Sequence, residues 1–341
     1  MKNILQWVAK AAIAGGLAII LLSGFCLVYN YDGIHISSES GATDYIWESR
    51  QLKSTMKEGF SWIRMDKNGY NNMFDYSEKP DLLLMGSSHM EAAQIAQNEN
   101  VGYLLNKKIP NYRTYNIGIS GHTIYRCMDN LGNALQEYKP TRYVVVVVDS
   151  IDLSIDQMQD VIKKKATPIP SYDSGFIYYM QKIPAIKVIY KQLIDWISLE
   201  GSTDNNNVNS KKSNDNVMSE SNKKEIYNST LKEFLGNAVT TCDKFGVTLI
   251  LVYQPPQKLK STGAVVYEHS EEKLKIFENE CEEQGIIFGD MTERFTAMYL
   301  EDNVLAHGFC NSSVGEGHLN KYGHAGISDV IVEIIRELEA Q

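Results

Sequence analysis

The chain has 341 residues, 43% of them hydrophobic and 22% charged, with a net charge of −9. That length suffices for one substantial domain with appendages, or for two small domains. The composition is that of a globular protein, and the acidic balance excludes a broad basic surface for nucleic acid.

The first predicted element is N-terminal. No charged side chain falls between Lys10 and Asp32, and about 20 apolar residues rising 1.5 Å each cross the hydrocarbon core of a bilayer. Residues 11–30 therefore read as one transmembrane anchor, with 1–10 as a cytoplasmic tail. Lys2 and Lys10 precede the span, whereas Asp32, Glu39 and Asp44 follow it. The positive-inside rule then puts the remainder of the chain outside the cell membrane. A cleaved signal peptide is the alternative; the long apolar run and the lack of a small-x-small cleavage site disfavour it. Phe25 before Cys26 disfavours a lipoprotein.

Residues 31–78 read as a polar, tyrosine-rich stalk with one helix-like piece, "TDYIWESRQLKSTMKEGFSWIRM", and no evident chemistry. From residue 79 onward, short apolar runs alternate with amphipathic ones. "DLLLMG", "RTYNIGISG", "RYVVVVVDS", "GVTLILVYQPP" and "GIIFGD" predict five strands, and their unalternating apolar character suits strands buried on both faces. Helices are predicted from Thr123 to Tyr138, over "KEIYNSTLKEFLGNAVTTCDKFG" and "SEEKLKIFENECEEQG", and over the final "HAGISDVIVEIIRELEAQ". Strand–helix alternation implies right-handed crossovers and a parallel sheet. The fold class is thus α/β, a three-layer α/β/α sandwich with a parallel five-stranded sheet. Residues 154–222 interrupt the pattern as an insertion: one helix-like stretch, then a loop at 201–222 too polar to fold. The cysteines show no CxxC, so no zinc site is implied. Cys242 and Cys281 flank one strand, without indicating that they pair.

Ligands of open α/β sheets bind beyond the carboxyl ends of the strands. Gly86, Ser87, Ser88 and His89 follow the first strand there. Asn116, Gly118, Ser120, Gly121 and His122 follow the second, and Asp149 and Ser150 the third. "GEGHLNKYGHAG", with His318 and His324, precedes the last helix. A serine, backbone-exposing glycines and a late histidine are the parts of an acyl-transfer site. Each part has a plainer reading. Ser87 or Ser88 suits a helix N-cap, the glycines a tight turn, and His122 or His324 a packed or capping position. His89 adjoins the serines, but neighbours on a turn point apart.

Taken in order, "LLLMGSSH", "NIGISGHT" and "GHLNKYGH" resemble the SGNH (GDSL-like) hydrolase superfamily, over residues 79–341 apart from the insertion. The resemblance implies a flavodoxin-like fold with Ser88 as nucleophile and His318 as base. It implies the N–H groups of Ser88 and Gly121 as oxyanion donors, with Asn116 upstream. Two departures accompany it. Ile151 stands where the third block carries an oxyanion asparagine, which leaves Ser150 or a neighbour to substitute. Gly315 stands three residues before His318, where the family has its aspartate; Glu316 is the nearby carboxylate, and a Ser–His dyad is the alternative. The "GSSH" form also resembles membrane-anchored members that act on envelope polymers, among them the D-alanyl transfer protein of teichoic acid synthesis and polysaccharide O-acetyltransferase domains.

The function expected is a membrane-anchored serine esterase or O-acyltransferase, needing no cofactor or metal. Its substrate would be a cell-envelope glycan or acylated polymer, and envelope biosynthesis membrane proteins its other partners. A degenerate, non-catalytic scaffold of the same family is the competing expectation. A flavodoxin-like nucleotide binder is disfavoured because no GxGxxG or Walker-type GKS/T occurs.

Overall fold

A computed structural model describes residues 2–75, 79–165, 175–190, 193 and 220–340. The first element, α1 (Lys2–Tyr29), is a single apolar helix long enough to cross a membrane. Its side chains are almost wholly exposed. The expected loop at 201–222 lies outside the described residues except for its last three, which begin a helix.

Five strands form the central sheet: β5 (Leu82–Gly86), β6 (Thr114–Asn116), β7 (Tyr143–Val148), β8 (Thr248–Tyr253) and β11 (Ile287–Asp290). They run in the order β11-β8-β7-β5-β6, and every pairing is parallel. Counted in chain order within this sheet the sequence is 5-4-3-1-2, the doubly wound arrangement in which chain direction reverses beside the first strand. The three central strands, apart from Thr248 at the start of β8, carry no polar side chain because both faces are covered. Leu83, Val144, Val146 and Leu251 face one core with α4 (Ile124–Tyr138), α5 (Ile155–Ile162), α7 (Glu220–Phe245) and α8 (Glu271–Glu283). Leu82, Leu84, Val145, Val147 and Ile250 face the other, with α3 (Val101–Lys108), α9 (Thr292–Asp302) and α10 (Lys321–Ala340). The expected three-layer α/β/α sandwich is the architecture observed. Cys242 and Cys281 are both buried and unpaired.

Residues 31–75 depart from the expected stalk. They form two antiparallel hairpins, β1 (His35–Ser37) with β2 (Tyr45–Trp47) and β3 (Leu52–Thr55) with β4 (Ser61–Arg64). The helix-like reading of residues 43–65 fails here. "SWIR" alternates buried and exposed side chains, the period of a half-buried strand. The hairpins lie on the domain: Trp47, Ile63 and Met65 pack on Ala93 and Ile119. Asp66 accepts from Tyr115 Oη at 2.8 Å, and Asn72 Nδ2 donates to the Asn116 carbonyl at 2.8 Å.

Within the insertion, α5, α6 (Phe176–Gln181) and a helical run at 184–190 are described. Two further small hairpins complete the fold: β9 (Gln257–Leu259) with β10 (Val265–Tyr267), and β12 (His307–Gly308) with β13 (Val314–Leu319).

The turn after β5 is closely packed. A Cβ on Gly118 would stand 2.4 Å from Met90 Cβ and 2.9 Å from the Glu91 amide, so loop 117–121 lies directly on α2 (Ser88–Glu91). Gly118→Ala is expected to destabilise the domain by about 1–3 kcal/mol through overpacking, read as a lower denaturation midpoint with an unchanged m-value.

Candidate active site

Ser88 is the first residue of α2, a single turn at the carboxyl end of β5. Gly86 makes the bend possible: at φ +157° its missing Cβ would strike Met90 Cγ at 2.5 Å and the Val147 carbonyl at 2.9 Å. His318 sits near the end of β13, between Gly317 and Leu319. Its Nε2 lies 2.9 Å from Ser88 Oγ. Its Nδ1 lies 2.7 Å from Glu58 Oε2, and its backbone N–H donates to Glu58 Oε1 at 2.9 Å. Serine, imidazole and carboxylate thus form one hydrogen-bonded line with the connectivity of a catalytic triad.

The carboxylate on the histidine is Glu58, not Glu316. Glu316 pairs with Lys258 Nζ at 3.7 Å instead; two residues apart on a regular strand would share a face, but Gly315 and Gly317, at φ +80° and +86°, break the regular alternation on either side of it. Glu58 lies in the turn between β3 and β4. Gly59 permits that turn at φ +72°, and a Cβ there would meet the Gln94 carbonyl at 2.1 Å. Asn311 clamps the turn, donating to the carbonyls of Met56 and Gly59 at 2.9 Å each and accepting from the Gly59 N–H at 2.9 Å. Gly317 completes the fit, since a Cβ at that position would stand 2.6 Å from Glu58 Oε1. Burial raises the Glu58 pKa, but the hydrogen bonds from His318 outweigh it and hold the carboxyl below its ordinary value.

The Ser88 N–H, first in its helix, and the Gly121 N–H, in a residue at φ +82°, make no hydrogen bond to the described residues. Ser120, beside Gly121, is held in place: its N–H donates to Glu91 Oε2 at 2.7 Å and its carbonyl accepts from Tyr45 Oη. Glu91 is fully buried and ion-paired with Lys53 of β3, whose ammonium also lies 4.0 Å from the Trp47 ring centroid. Asn116 sits behind the site, tying Met90 O and the Gly118 N–H at 2.8 Å each. Ile151 is buried and Ser150 exposed with no hydrogen bond to the described residues. Ser87 occupies the N-cap position of α2 without capping it. Its hydroxyl donates to Asp149 Oδ2 at 3.2 Å instead.

The other histidines are packed. His89 Nδ1 accepts from the Leu319 N–H at 3.2 Å, its ring 5.2 Å from that of His318. His122 lies 3.6 Å from Asp44. His307 is bonded to Gln254 at 2.9 Å, while neither ring nitrogen of His324 has a hydrogen-bond partner among the described residues. Burial, reinforced by neighbouring imidazoles, pushes His307 down to about 4 and His324 to about 3. The "LNxxG" after His318 has a structural cause. Asn320 Oδ1 accepts from the N–H groups of Tyr322 and Gly323 at 2.9 and 3.3 Å, and a Cβ on Gly323 would meet the Ala306 carbonyl at 2.4 Å.

No family model matches the sequence, and no curated protein matches it. Among solved structures, the chain is similar to an acetyl xylan esterase, AlAXEase, at 13% identity and a TM-score of 0.40, over 74% of this chain and 99% of that one. It is similar to the psychrotrophic esterase EstA from Pseudoalteromonas sp. at 13% identity and a TM-score of 0.38, over 76% and 100%. A G-D-S-L family lipolytic protein from Veillonella parvula gives 12% and 0.38, over 74% and 96%. At such values the likeness carries no argument about chemistry, which rests on this chain's own residues.

Two outcomes follow from the geometry. Glu58→Gln should leave the fold intact and lower esterase kcat by about 10²- to 10⁴-fold, the range for mis-set triad tautomers, while Glu316→Gln changes it less than about twofold; p-nitrophenyl acetate turnover reads both. Separately, His307 and His324 resist protonation in the fold, whereas unfolded histidine titrates near 6.5. The unfolded chain therefore binds more protons below that value, and stability falls as pH drops from about 6.5 toward 4. The loss is up to about 1.4 kcal/mol per pH unit for each histidine. His324→Leu should remove one such share from the slope of stability against pH, measured by urea unfolding at pH 7, 6 and 5.

Proposed function

We propose that the chain is an extracytoplasmic, membrane-anchored serine esterase or O-acyltransferase acting on a cell-envelope glycan or acylated polymer. The observation that carries the reading is the hydrogen-bonded line Ser88–His318–Glu58. In the reaction His318 Nε2 takes the Ser88 proton as Oγ attacks an ester carbonyl. The Glu58 carboxylate, ionised because its pKa is depressed, fixes the proton on Nδ1 and stabilises the imidazolium. The N–H groups of Ser88 and Gly121 receive the oxyanion. His318 then returns the proton to the leaving alkoxide, and water or a sugar hydroxyl, deprotonated by the same ring, takes the acyl group from Ser88.

The site is open. The His318 and Glu58 side chains remain 29% and 25% exposed, which suits a bulky acceptor better than a small enclosed one. The anchor reading is supported by the apolar length of α1, by Lys2 and Lys10 before it and acidic residues after it. It is supported too by contacts between the last turns of α1 and the domain: Trp62 Nε1 donates to the Val28 carbonyl at 3.0 Å. Such contacts favour a retained helix over a cleaved signal.

One observation favours the second reading, a scaffold of envelope biosynthesis. Ile151 offers no side-chain donor to the oxyanion, and a lost donor typically costs about 10²- to 10³-fold in rate. A fluorophosphonate probe separates the two. It should label the wild-type chain at Ser88 and fail to label Ser88→Ala or label His318→Ala only slowly. Equal labelling of wild type and Ser88→Ala would remove Ser88 from the role, and no labelling of a folded wild type would favour the scaffold.

A further inference from the structure

The helical run at 184–190 lies against α1. The Ala185 N–H donates to Ser23 Oγ at 3.4 Å, and Ala185 is fully buried. Lys187 Nζ stands 5.6 Å above the Tyr31 ring, while Tyr178 Oη and Lys182 Nζ, just before the run, bind Glu48 at 2.8 and 2.6 Å. Ser23 precedes the end of α1 at Tyr29 by about 9 Å of helix. Ala185 is therefore held below the outer end of the apolar span. That depth matches interfacial helices, whose apolar faces sit about 5–10 Å into the headgroup and acyl boundary. The uncovered side of the run is apolar, with Ile189 57% and Tyr190 39% exposed, and Ile183 just before it 36% exposed. The β3–β4 hairpin presents a matching rim: Trp62 and Phe60 are 57% and 60% exposed, and Trp62 is bonded to the last turn of α1.

We propose that the run at 184–190 and the Phe60–Trp62 rim form a second membrane contact that beds the domain into the outer leaflet. The proposal rests on the anchor reading above. Lipid is the occupant because Trp62 is bonded to Val28 and Ala185 to Ser23, within the apolar span that also leaves Phe25 exposed. Tryptophan with its N–H engaged and its ring bare is the side chain of that boundary. The contact also sets where the serine site works. Tyr31 pairs with Ser54, and Glu58 follows Ser54 by four residues, at most about 14 Å of chain. The site is thus held close to the headgroup layer, and its ester substrate must reach that layer.

The full chain reconstituted in phosphatidylcholine vesicles tests this. With the exposed Cys310 replaced by serine, single cysteines at Ile189, Phe60, Leu17 and Leu300 carry a nitrobenzoxadiazole probe. Probes at 189 and 60 should be quenched several-fold more by doxyl-labelled lipid than the probe at 300, and be shielded from aqueous iodide. Iodide quenching at 189 equal to that at 300 would overturn the contact, as would shielding from both quenchers, which would mean a second copy covers the face. Leu17 separates the two readings. Lipid quenching there with aqueous quenching at 189 removes the contact and leaves the anchor; aqueous quenching at Leu17 removes both.

Discussion

The hydrogen bonds between Glu58 and His318 join residues 260 positions apart, and the geometry of the site depends on them. An imidazole bonded only to a serine hydroxyl is free to rotate and to hold its proton on either nitrogen. A carboxylate on Nδ1 removes both freedoms, and the additional bond from the His318 backbone fixes the carboxylate in turn. The surrounding residues serve this contact. Gly59 permits the turn, Asn311 clamps it, and Gly317 leaves the space a methyl group would fill. A three-residue site therefore requires that the first hairpins and the last one close on each other.

Ser88, the proposed nucleophile, and the loop of Gly121 are coupled through one short helix. Ser88 begins α2 and Glu91 ends it, and Glu91 holds the amide of Ser120, the neighbour of Gly121. Burial raises the pKa of Glu91, but Lys53 and the Ser120 amide outweigh it, so the group stays charged. A buried ion pair adds little net stability, yet breaking one partner is costly, about 3–5 kcal/mol. What the Lys53–Glu91 pair secures is position. The β3–β4 hairpin bears Lys53 on its first strand and Glu58 at its turn, so one element braces the Gly121 loop through Glu91 and supplies the carboxylate bonded to His318.

The sheet was legible in the sequence because strands covered on both faces have no polar alternation to blur them. "LLLM", "VVVVV" and "LILV" could be little else, and the helices between them carried their own stops at Gly246 and Gly285. The pairing of Ser88 with His318 was accessible only through the family resemblance that the three short blocks carry in order. Glu58 was not, since nothing local distinguishes a glutamate in "MKEGFSW" from any surface carboxylate. The usable signal was structural. The strict alternation of "SWIR" and the glycine before it mark a hairpin, which a helical reading of that stretch concealed. Glu316 attracted the acid's role by proximity along the chain, but it pairs with Lys258, in a stretch whose alternation Gly315 and Gly317 break with positive φ.

The folding of residues 31–75 onto the domain also fixes a length. Forty-eight residues of stalk at 31–78, fully extended, would give the domain a leash of up to about 160 Å, enough to sweep deep into a cell wall. Tied by the Tyr31–Ser54 bridge and the buried hairpins, most of that leash is gone. With the proposed anchor, a chain built this way would work within a thin layer, its substrates selected by altitude above the membrane as well as by chemistry.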